Sequence, residues 1–352
     1  MTRADLCVRG AGIFGLSIAY AALLRGARVR LIETARVGAG SSGGVVGALA
    51  PHVPEVWNAK KEFQLDSLLM AADWWRSVEA LTGLPTGYAR LGRLQPLPNE
   101  RAVAAAHTRS VAAQTLWRGQ AAWQVVPATG ADWEPASPTG LLIHDTLSAR
   151  LHPRLAATAL AAAITALGGE FTDDTAHTGP VVWATGTAGL ADLTADLGRP
   201  AGTGVKGQAA LLLHDARGQP QLFVDGLHIV PHADGTVAIG STSETRWADA
   251  TSTDAQLEAL IRTARAALPA LADAPVIERW AGLRPRATSR APLLGPWPRR
   301  PGHFIANGGF KIGFGMAPKI AEVMADLLLN GHDTIPPDFH TDRLTQEKLP
   351  RR

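Results

Sequence analysis

The feature that most constrains this chain is a glycine pattern near its start, in the segment CVRGAGIFGLSIAY. Gly10, Gly12 and Gly15 follow a short apolar strand at 4–9 and open a segment with helical spacing at 13–25. In a chain with 36 glycines such a match has little weight alone, but its position between a strand and a helix makes it specific. The pattern therefore predicts a strand, a tight turn and a helix.

A second apolar strand at 28–33 completes this unit, and Glu33 ends it. In units of this kind the first glycine makes the turn, the second lets the backbone approach a pyrophosphate, and the third lets the helix pack on the strand. The free N–H groups of the helix meet the phosphates, and the acidic residue takes the ribose hydroxyls. The alternative is a packing turn without a ligand. We predict a dinucleotide site on Gly10, Gly12, Ile13, Phe14, Gly15 and Glu33.

The stretch after this unit, VGAGSSGGVVGALAPHVPEVW, is too rich in glycine and serine for regular structure and predicts a long loop. A flavin enzyme uses such a loop to wrap the pyrophosphate and reach the isoalloxazine ring, whereas an NAD enzyme needs none directly after the acidic residue. Residues 38–50, which include Ser41 and Ser42, can supply it. We therefore expect FAD as the dinucleotide.

Farther along, helical patterns alternate with glycine-rich turns and with a run of short strands between 203 and 245. Alternating strands and helices at the two ends, with a strand-rich middle, are typical of a mixed-sheet domain interleaved with a nucleotide-binding one. HADG at 232–235 predicts a hairpin, and VVWATG at 181–186 predicts a buried strand that runs into a glycine loop. The tail after Pro336 is expected to be peripheral. We predict helices at 60–82, 99–116, 153–167, 253–268 and 316–330, and an extended segment at 276–281.

Composition narrows the class of protein. Lys and Arg number 34 against 31 Asp and Glu, a net charge of +3 that is too mild to favour nucleic acid. Cys7 is the single cysteine, which excludes multi-cysteine metal sites and fits a reducing compartment; we expect no metal. Without an uninterrupted apolar run of about 18 residues, a membrane span is not expected. The sequence predicts a cytoplasmic protein.

Five segments together carry a resemblance to a known family. They are GAGIFGLSIAY with Glu33, VVWATG (181–186), LHIVPHADGTVAIGST (227–242), WAGLRPRATSRAPLLG (280–295) and NGGFKIGFGMAPKIAEVMADLLLNG (307–331). In order and spacing the chain resembles the FAD-dependent D-amino acid oxidase, glycine oxidase and sarcosine oxidase (DAO) family over nearly its whole length. The resemblance implies an α/β fold of the glutathione-reductase-like type, with a discontinuous Rossmann-type FAD-binding domain (1–85, 146–203 and 284–352) and an interleaved mixed β-sheet substrate domain (86–145 and 204–283).

The resemblance also implies a chemistry and a set of residues. Flavin N5 would take a hydride from the carbon next to an amine, and water would hydrolyse the resulting imine. Arg284 matches the family's carboxylate-binding arginine, a role that suits a guanidinium because it forms two parallel hydrogen bonds. Lys311 aligns with a second cation. His228 replaces a tyrosine that contacts the carboxylate; it either donates one hydrogen bond to the same group or is an ordinary strand histidine. His52 lies where the flavin loop enters the first long helix.

Further cofactor contacts are implied at Ala184, Thr185, Gly186, Gly309, Phe310, Lys311, Ile312 and Gly313. The N-terminus of the closing helix, with Pro318 near its first turn, would point its partial positive charge at the flavin pyrimidine edge. Two departures stand out: Thr288, Ser289 and Arg290 replace a common Thr-Pro-Asp, and the short segment 169–180 leaves the adenine contact unassigned. Because Cys7 lies in the first strand, it cannot tether the flavin, and we expect non-covalent FAD.

The expected substrate is a small amino acid or secondary amine of the glycine, sarcosine or D-amino acid class, with O2 or a quinone as electron acceptor. One alternative is an oxidase of carboxymethylaminomethyl-uridine at the tRNA wobble position, which predicts a basic face. The other is a redox-silent flavin-binding subunit, which has no use for two cations beside the flavin ring.

Overall fold

The computed structural model describes residues 4–177 and 179–345. The strands are β1 (Leu6–Arg9), β2 (Val29–Ile32), β3 (Ala48–Leu49), β4 (Arg93–Pro96), β5 (Trp123–Pro127), β6 (Leu141–Asp145), β7 (Ala149–Arg150), β8 (Glu170–Thr172), β9 (Val181–Trp183), β10 (Gly202–Leu213), β11 (Gln221–Val224), β12 (Leu227–Pro231), β13 (Thr236–Gly240), β14 (Val276–Ala287), β15 (Leu293–Pro296) and β16 (His303–Asn307). The helices are α1 (Ile13–Leu24), α2 (Ala59–Thr82), α3 (Glu100–Leu116), α4 (Pro153–Ala166), α5 (Gly186–Leu197), α6 (Ala255–Ala267) and α7 (Gly313–Asn330).

A six-stranded sheet in the order β15-β16-β9-β1-β2-β8 contains the predicted strand–turn–helix–strand unit at its centre. The strands run parallel except for the β15–β16 pair. α1 is apolar around its whole circumference and buried from Ile13 to Leu23, since it packs against α4 and α7 beneath the sheet. This arrangement confirms the predicted α/β fold class.

The second large sheet has eight strands, in the order β14-β10-β13-β12-β11-β4-β6-β5. Its longest ladder joins β10 and β14, which pair antiparallel from Gly202–Ala287 onward. The predicted hairpin at HADG is confirmed: β12 and β13 pair across this turn, and the His232 N–H donates to the Thr236 carbonyl at 2.8 Å. The face of this sheet packs against α6 through a separate apolar cluster.

The two sheets draw on different segments of the chain, but their strands do not stop at the boundaries that the sequence suggests. β14 runs through residue 284, and β10 begins before residue 204. The division into a FAD-binding and a substrate domain stays a prediction. Its last segment also includes 346–352, which lies outside the described residues.

The helices at 60–82, 99–116, 153–167 and 253–268 are confirmed within two residues of their predicted ends. α7, however, begins at Gly313 instead of residue 316, so Pro318 lies inside the helix and not in its first turn. The predicted glycine loop after VVWATG is wrong, because α5 starts directly at Gly186. The extended segment predicted at 276–281 continues to Ala287, since β10 pairs with it over that length.

The tail after Pro336 is not peripheral as far as it is described. Phe339 is completely buried, and its ring lies 5.1 Å from the Phe63 ring in an edge-to-face contact. This one aromatic side chain ties the end of the described chain to α2 in the main core. The sequence did not indicate that Phe339 is buried, because the segment around it is charged and rich in proline.

Gly15→Ala should destabilise the fold by about 1–3 kcal/mol, because an added Cβ would lie 1.9 Å from the Gly10 carbonyl oxygen and force α1 away from β1. Denaturant unfolding with saturating FAD measures the effect. Gly218→Ala is the matched control: Gly218 faces open space, and its replacement should change stability by less than about 0.5 kcal/mol. Equal stability of the two variants would refute the close-packing argument.

Candidate functional site

The glycine turn between β1 and α1 is built by close approach. Gly10 has a φ of +98°, a conformation that favours glycine, and Gly15 allows α1 to pack against the Gly10 carbonyl. The first helical N–H, that of Ile13, donates to Ser42 Oγ at 3.0 Å. Ser42 thereby fixes the predicted flavin loop on the N-terminus of α1, where an anionic group is favoured.

Glu33, one residue beyond β2, faces the same turn. Its carboxylate accepts the backbone N–H of Ala11 at 2.8 Å and that of Ala35 at 2.9 Å. These two bonds hold the side chain in one orientation at the edge of the sheet. The carboxylate lies where the sequence predicts a contact to ribose hydroxyls.

A cavity of about 350 Å³ opens above this edge of the sheet. The starts of α1 and α5 both contribute to its wall, so two helix N-termini point towards it. At its side, Thr185 Oγ1 is buried without a hydrogen-bond partner among the described residues. An elongated ligand with phosphates and hydroxyls fits this wall. The predicted cofactor residues that line it are Gly10, Gly12, Ile13, Phe14, Glu33, Ser41, Ser42, Ala184, Thr185, Gly186, Gly309, Phe310 and Gly313.

A second cavity of about 370 Å³ adjoins the first and shares Ile13, Ser41, Ser42, Phe310 and Gly313 with it. Gly313 is the first residue of α7, so the start of this helix borders both cavities. The structure brings together here the predicted residues Arg284, Lys311, His228 and Ile312. Gly15 lines neither cavity, because it packs against Gly10.

Arg284 lies on β14 and is 8% exposed. Its Nη1–H donates to the Thr242 carbonyl at 3.2 Å, and it forms no ion pair with a described residue. Burial lowers the pKa of Arg284 to about 10, although the nearby Glu244 carboxylate acts in the opposite direction. The guanidinium occupies the space above Gly207 on β10, where an added Cβ would lie about 2 Å from its atoms.

Lys311 stands on the loop that leads into α7, directly after Phe310, and its Nζ is 5.8 Å from the Phe310 ring centroid. Burial lowers the pKa of Lys311, and the positive charge of Arg284 lowers it further. No described carboxylate pairs with Lys311. The second cavity is therefore lined by two cations, neither of which forms an ion pair with a described residue.

His228 on β12 completes this group. Its ring lies 4.6 Å from that of Phe223, and its Nδ1 is buried without a hydrogen-bond partner among the described residues. Burial lowers the pKa of His228 to about 3, assisted by the charges of Arg93 and Lys311. The imidazole is therefore neutral at physiological pH and can donate or accept one hydrogen bond in the cavity.

His52 is not among the residues that line either cavity. Its backbone N–H donates to Gln64 Oε1 at 2.8 Å, and its Nδ1 contacts the same oxygen. Gln64 itself lines the second cavity and donates to the Ala50 carbonyl at 3.2 Å. A role for His52 at the flavin stays a prediction, and it would act through Gln64. The sequence gives no signal that Gln64, a glutamine within a helix, lines the cavity.

Other residues that hold the flavin loop were not predicted. His232, 1% exposed, contacts the Val45 carbonyl through Nε2 at 2.8 Å. Arg154 donates from Nε to the Gly43 carbonyl at 2.8 Å. Trp280 lies over Gly44, where an added Cβ would be 3.4 Å from its ring. These contacts fasten the loop to α4 and to the eight-stranded sheet, and only long-range pairing brings them together.

The family model for FAD-dependent oxidoreductases of the DAO type matches residues 5–327. The chain belongs to the DAO family of FAD-dependent oxidoreductases. This membership confirms the predicted resemblance and FAD as the cofactor, bound without a covalent link, and the glycine turn, Glu33 and the first cavity fit that cofactor.

Curated relatives of this chain include a bifunctional protein ThiO/ThiG from Nostoc sp., 28% identical over 376 residues, which cover 97% of this chain and 55% of the relative. A glycine oxidase from Pseudomonas aeruginosa is 36% identical over 134 residues, 38% of this chain and 37% of that protein. The chain thus matches about half of the length of the first relative and just over a third of the second.

Solved structures show the same fold. Glycine oxidase from Geobacillus kaustophilus has a TM-score of 0.80 at 22% identity, covering 96% of this chain and 97% of that one. Iminodiacetate oxidase from Chelativorans sp. BNC1 has a TM-score of 0.84 at 20% identity, covering 95% and 98%. Among the described residues, none of the helices combines the length and apolar character that crossing a membrane requires.

His232→Gln should change how stability depends on pH. Burial lowers the pKa of His232 to about 4 from 6.5, so between these values the unfolded chain binds a proton that the folded chain does not. The wild type should therefore lose about 1.4 kcal/mol per pH unit more steeply than the variant as pH falls through this window. Denaturant unfolding from pH 7.5 to 4 measures it. Above pH 6.5 the two curves should run parallel; parallel curves throughout would contradict the prediction.

Proposed function

We propose that this FAD-dependent oxidoreductase oxidises the C–N bond of a small amino acid or secondary amine that carries a carboxylate. The observation that supports this most is the pair Arg284 and Lys311, two cations that form no ion pair within the described ranges and that line a cavity adjoining the nucleotide cavity. The buried charge of Arg284 is unfavourable unless a ligand pairs with it, whereas Lys311 is exposed. A substrate carboxylate is the group that two cations select.

Arg284 would bind that carboxylate through two parallel hydrogen bonds, because burial and the Thr242 carbonyl hold its guanidinium in place. Lys311 would add a second positive charge on the same side. Neutral His228 would contribute one hydrogen bond from Nδ1. Together these groups would orient the substrate, which supplies much of the rate when the reacting atoms are positioned closely.

Bound FAD supplies the hydride acceptor. This chain would contribute the N-terminus of α7, which borders both cavities at Gly313 and offers partial positive charge where negative charge develops. Trp280 and Phe223 would exclude water from the carboxylate end of the cavity. The cavity of about 370 Å³ would have to hold the flavin ring as well as the substrate, which leaves room only for a small substrate such as glycine, sarcosine or a short D-amino acid.

Anaerobic addition of substrate should bleach the flavin absorbance of the purified holoenzyme. The panel is glycine, sarcosine, iminodiacetate, D-alanine, D-proline and L-proline, with methylamine as the matched amine that lacks a carboxylate. We expect bleaching by at least one carboxylate-bearing amine and none by methylamine, because the two cations select the carboxylate. Stopped-flow absorbance gives the rates.

Other outcomes separate the rival functions. Bleaching by carboxymethylaminomethyl-uridine in tRNA, and by no free amino acid, would establish the RNA enzyme instead. No bleaching by any compound, while dithionite bleaches the flavin fully, would support the redox-silent subunit and refute the proposal.

Arg284→Met should weaken the binding of carboxylate substrates by about 2 to 5 kcal/mol, because it removes the partner of a buried charge. Arg279→Met is the matched control, since Arg279 lies on the same strand but is exposed and pairs with Glu258 at 3.0 Å. Gly207→Ala offers a second route, since its Cβ would displace the guanidinium without removing it. Steady-state KM and the anaerobic Kd check all three. An unchanged Kd in Arg284→Met would remove Arg284 from the site.

A further inference from the structure

One face of the six-stranded sheet carries side chains that the proposed function leaves unused. Along β1, Leu6 and Val8 point into the main core, so Arg9 lies on the opposite face. There it pairs in register with Trp183 on β9, and its guanidinium carbon is 4.4 Å from the centroid of the Trp183 ring. Nη1 of Arg9 also donates to the Thr175 carbonyl at 3.2 Å. Two contacts therefore fix the direction of this side chain.

Arg9 differs from the other arginines of this face in its charge balance. Arg30 pairs with Glu170 at 3.4 Å and with Asp174 at 3.1 Å, and Arg300 pairs with Asp196. Arg9 forms no ion pair with any residue in the described ranges. A partly buried guanidinium that is not paired with a carboxylate can form strong charge-assisted hydrogen bonds to an anionic ligand.

The position of Arg9 connects it to the nucleotide cavity. It immediately precedes Gly10, at the carboxyl end of β1, and it lines the first cavity together with Glu33 and Thr34. This is the end of the cavity where Glu33 would meet the ribose of the adenosine half, whereas Phe310 and Gly313 border the substrate cavity at the other end. Because Arg9 adjoins Gly10, it lies between the ribose end of the cavity and the glycine turn that the pyrophosphate approaches.

We propose that Arg9 strengthens the binding of the adenosine monophosphate half of FAD through its positive charge. Trp183 and the Thr175 carbonyl fix the guanidinium of Arg9, a residue that lines the cavity, in one position. The proposal depends on FAD as cofactor and is independent of which substrate is oxidised.

The test compares dissociation constants after the FAD of the holoenzyme has been released and the apoprotein re-titrated with FAD, ADP or FMN. Quenching of flavin fluorescence reports FAD and FMN, and calorimetry reports ADP. Arg9→Met should weaken FAD and ADP by about 10-fold or more, the loss typical of a charge-assisted hydrogen bond, and leave FMN unchanged. Arg9→Lys should retain most of the affinity, because it keeps the charge.

Arg30→Met is the matched control. Arg30 lies on the same face, and its Nη1 donates to the Ala176 carbonyl at 3.0 Å, so it holds the same loop as Arg9 but does not line the cavity. Its replacement should leave all three constants unchanged. Equal losses in Arg9→Met and Arg30→Met would show that Arg9 acts through the loop alone and overturn the proposal. The proposal would also be overturned if Arg9→Met left the FAD affinity unchanged or weakened FMN as much as FAD. It would be overturned as well if Arg9→Lys bound FAD as weakly as Arg9→Met.

Discussion

The contact between Gly15 and the carbonyl of Gly10 is the constraint on which the rest of the structure depends. It brings α1 so close to β1 that the first turn of the helix opens directly above the edge of the sheet. Ser42 then reaches the Ile13 N–H, which places the flavin loop over the turn. Every other part of the nucleotide cavity is arranged around this turn, because the phosphates of a dinucleotide need both the space and the free N–H groups.

The substrate cavity depends on a different balance. Burying the charge of Arg284 is unfavourable, but the same charge can bind an anionic ligand. Arg284 is stabilised by one carbonyl and by the room that Gly207 leaves for it, and no ion pair neutralises it. Burial, together with the like charge of Arg284, lowers the pKa of Lys311 in the same cavity. An anion bound there would be favoured by both positive charges.

Parts of this structure follow from local sequence and parts do not. The strand–turn–helix unit, most helices and the hairpin at HADG were predicted, because periodicity and glycine positions act over a few residues. The start of α7, the helix α5 and the burial of Phe339 were mispredicted. For Phe339 the deciding contact comes from a distant part of the chain, the ring of Phe63.

The sequence by itself determined where the chain turns tightly after β1. It predicts that this turn approaches a pyrophosphate, and the family resemblance implies that Arg284 and Lys311 meet a carboxylate. Only the tertiary structure decided that Arg284 meets Gly207 across two strands and that His232 reaches the Val45 carbonyl. It also decided that Arg9 has no carboxylate partner in the part of the chain that the structure describes. The reason is physical: spacing along the chain sets local backbone geometry, whereas burial and charge pairing depend on residues that long-range strand pairing brings together.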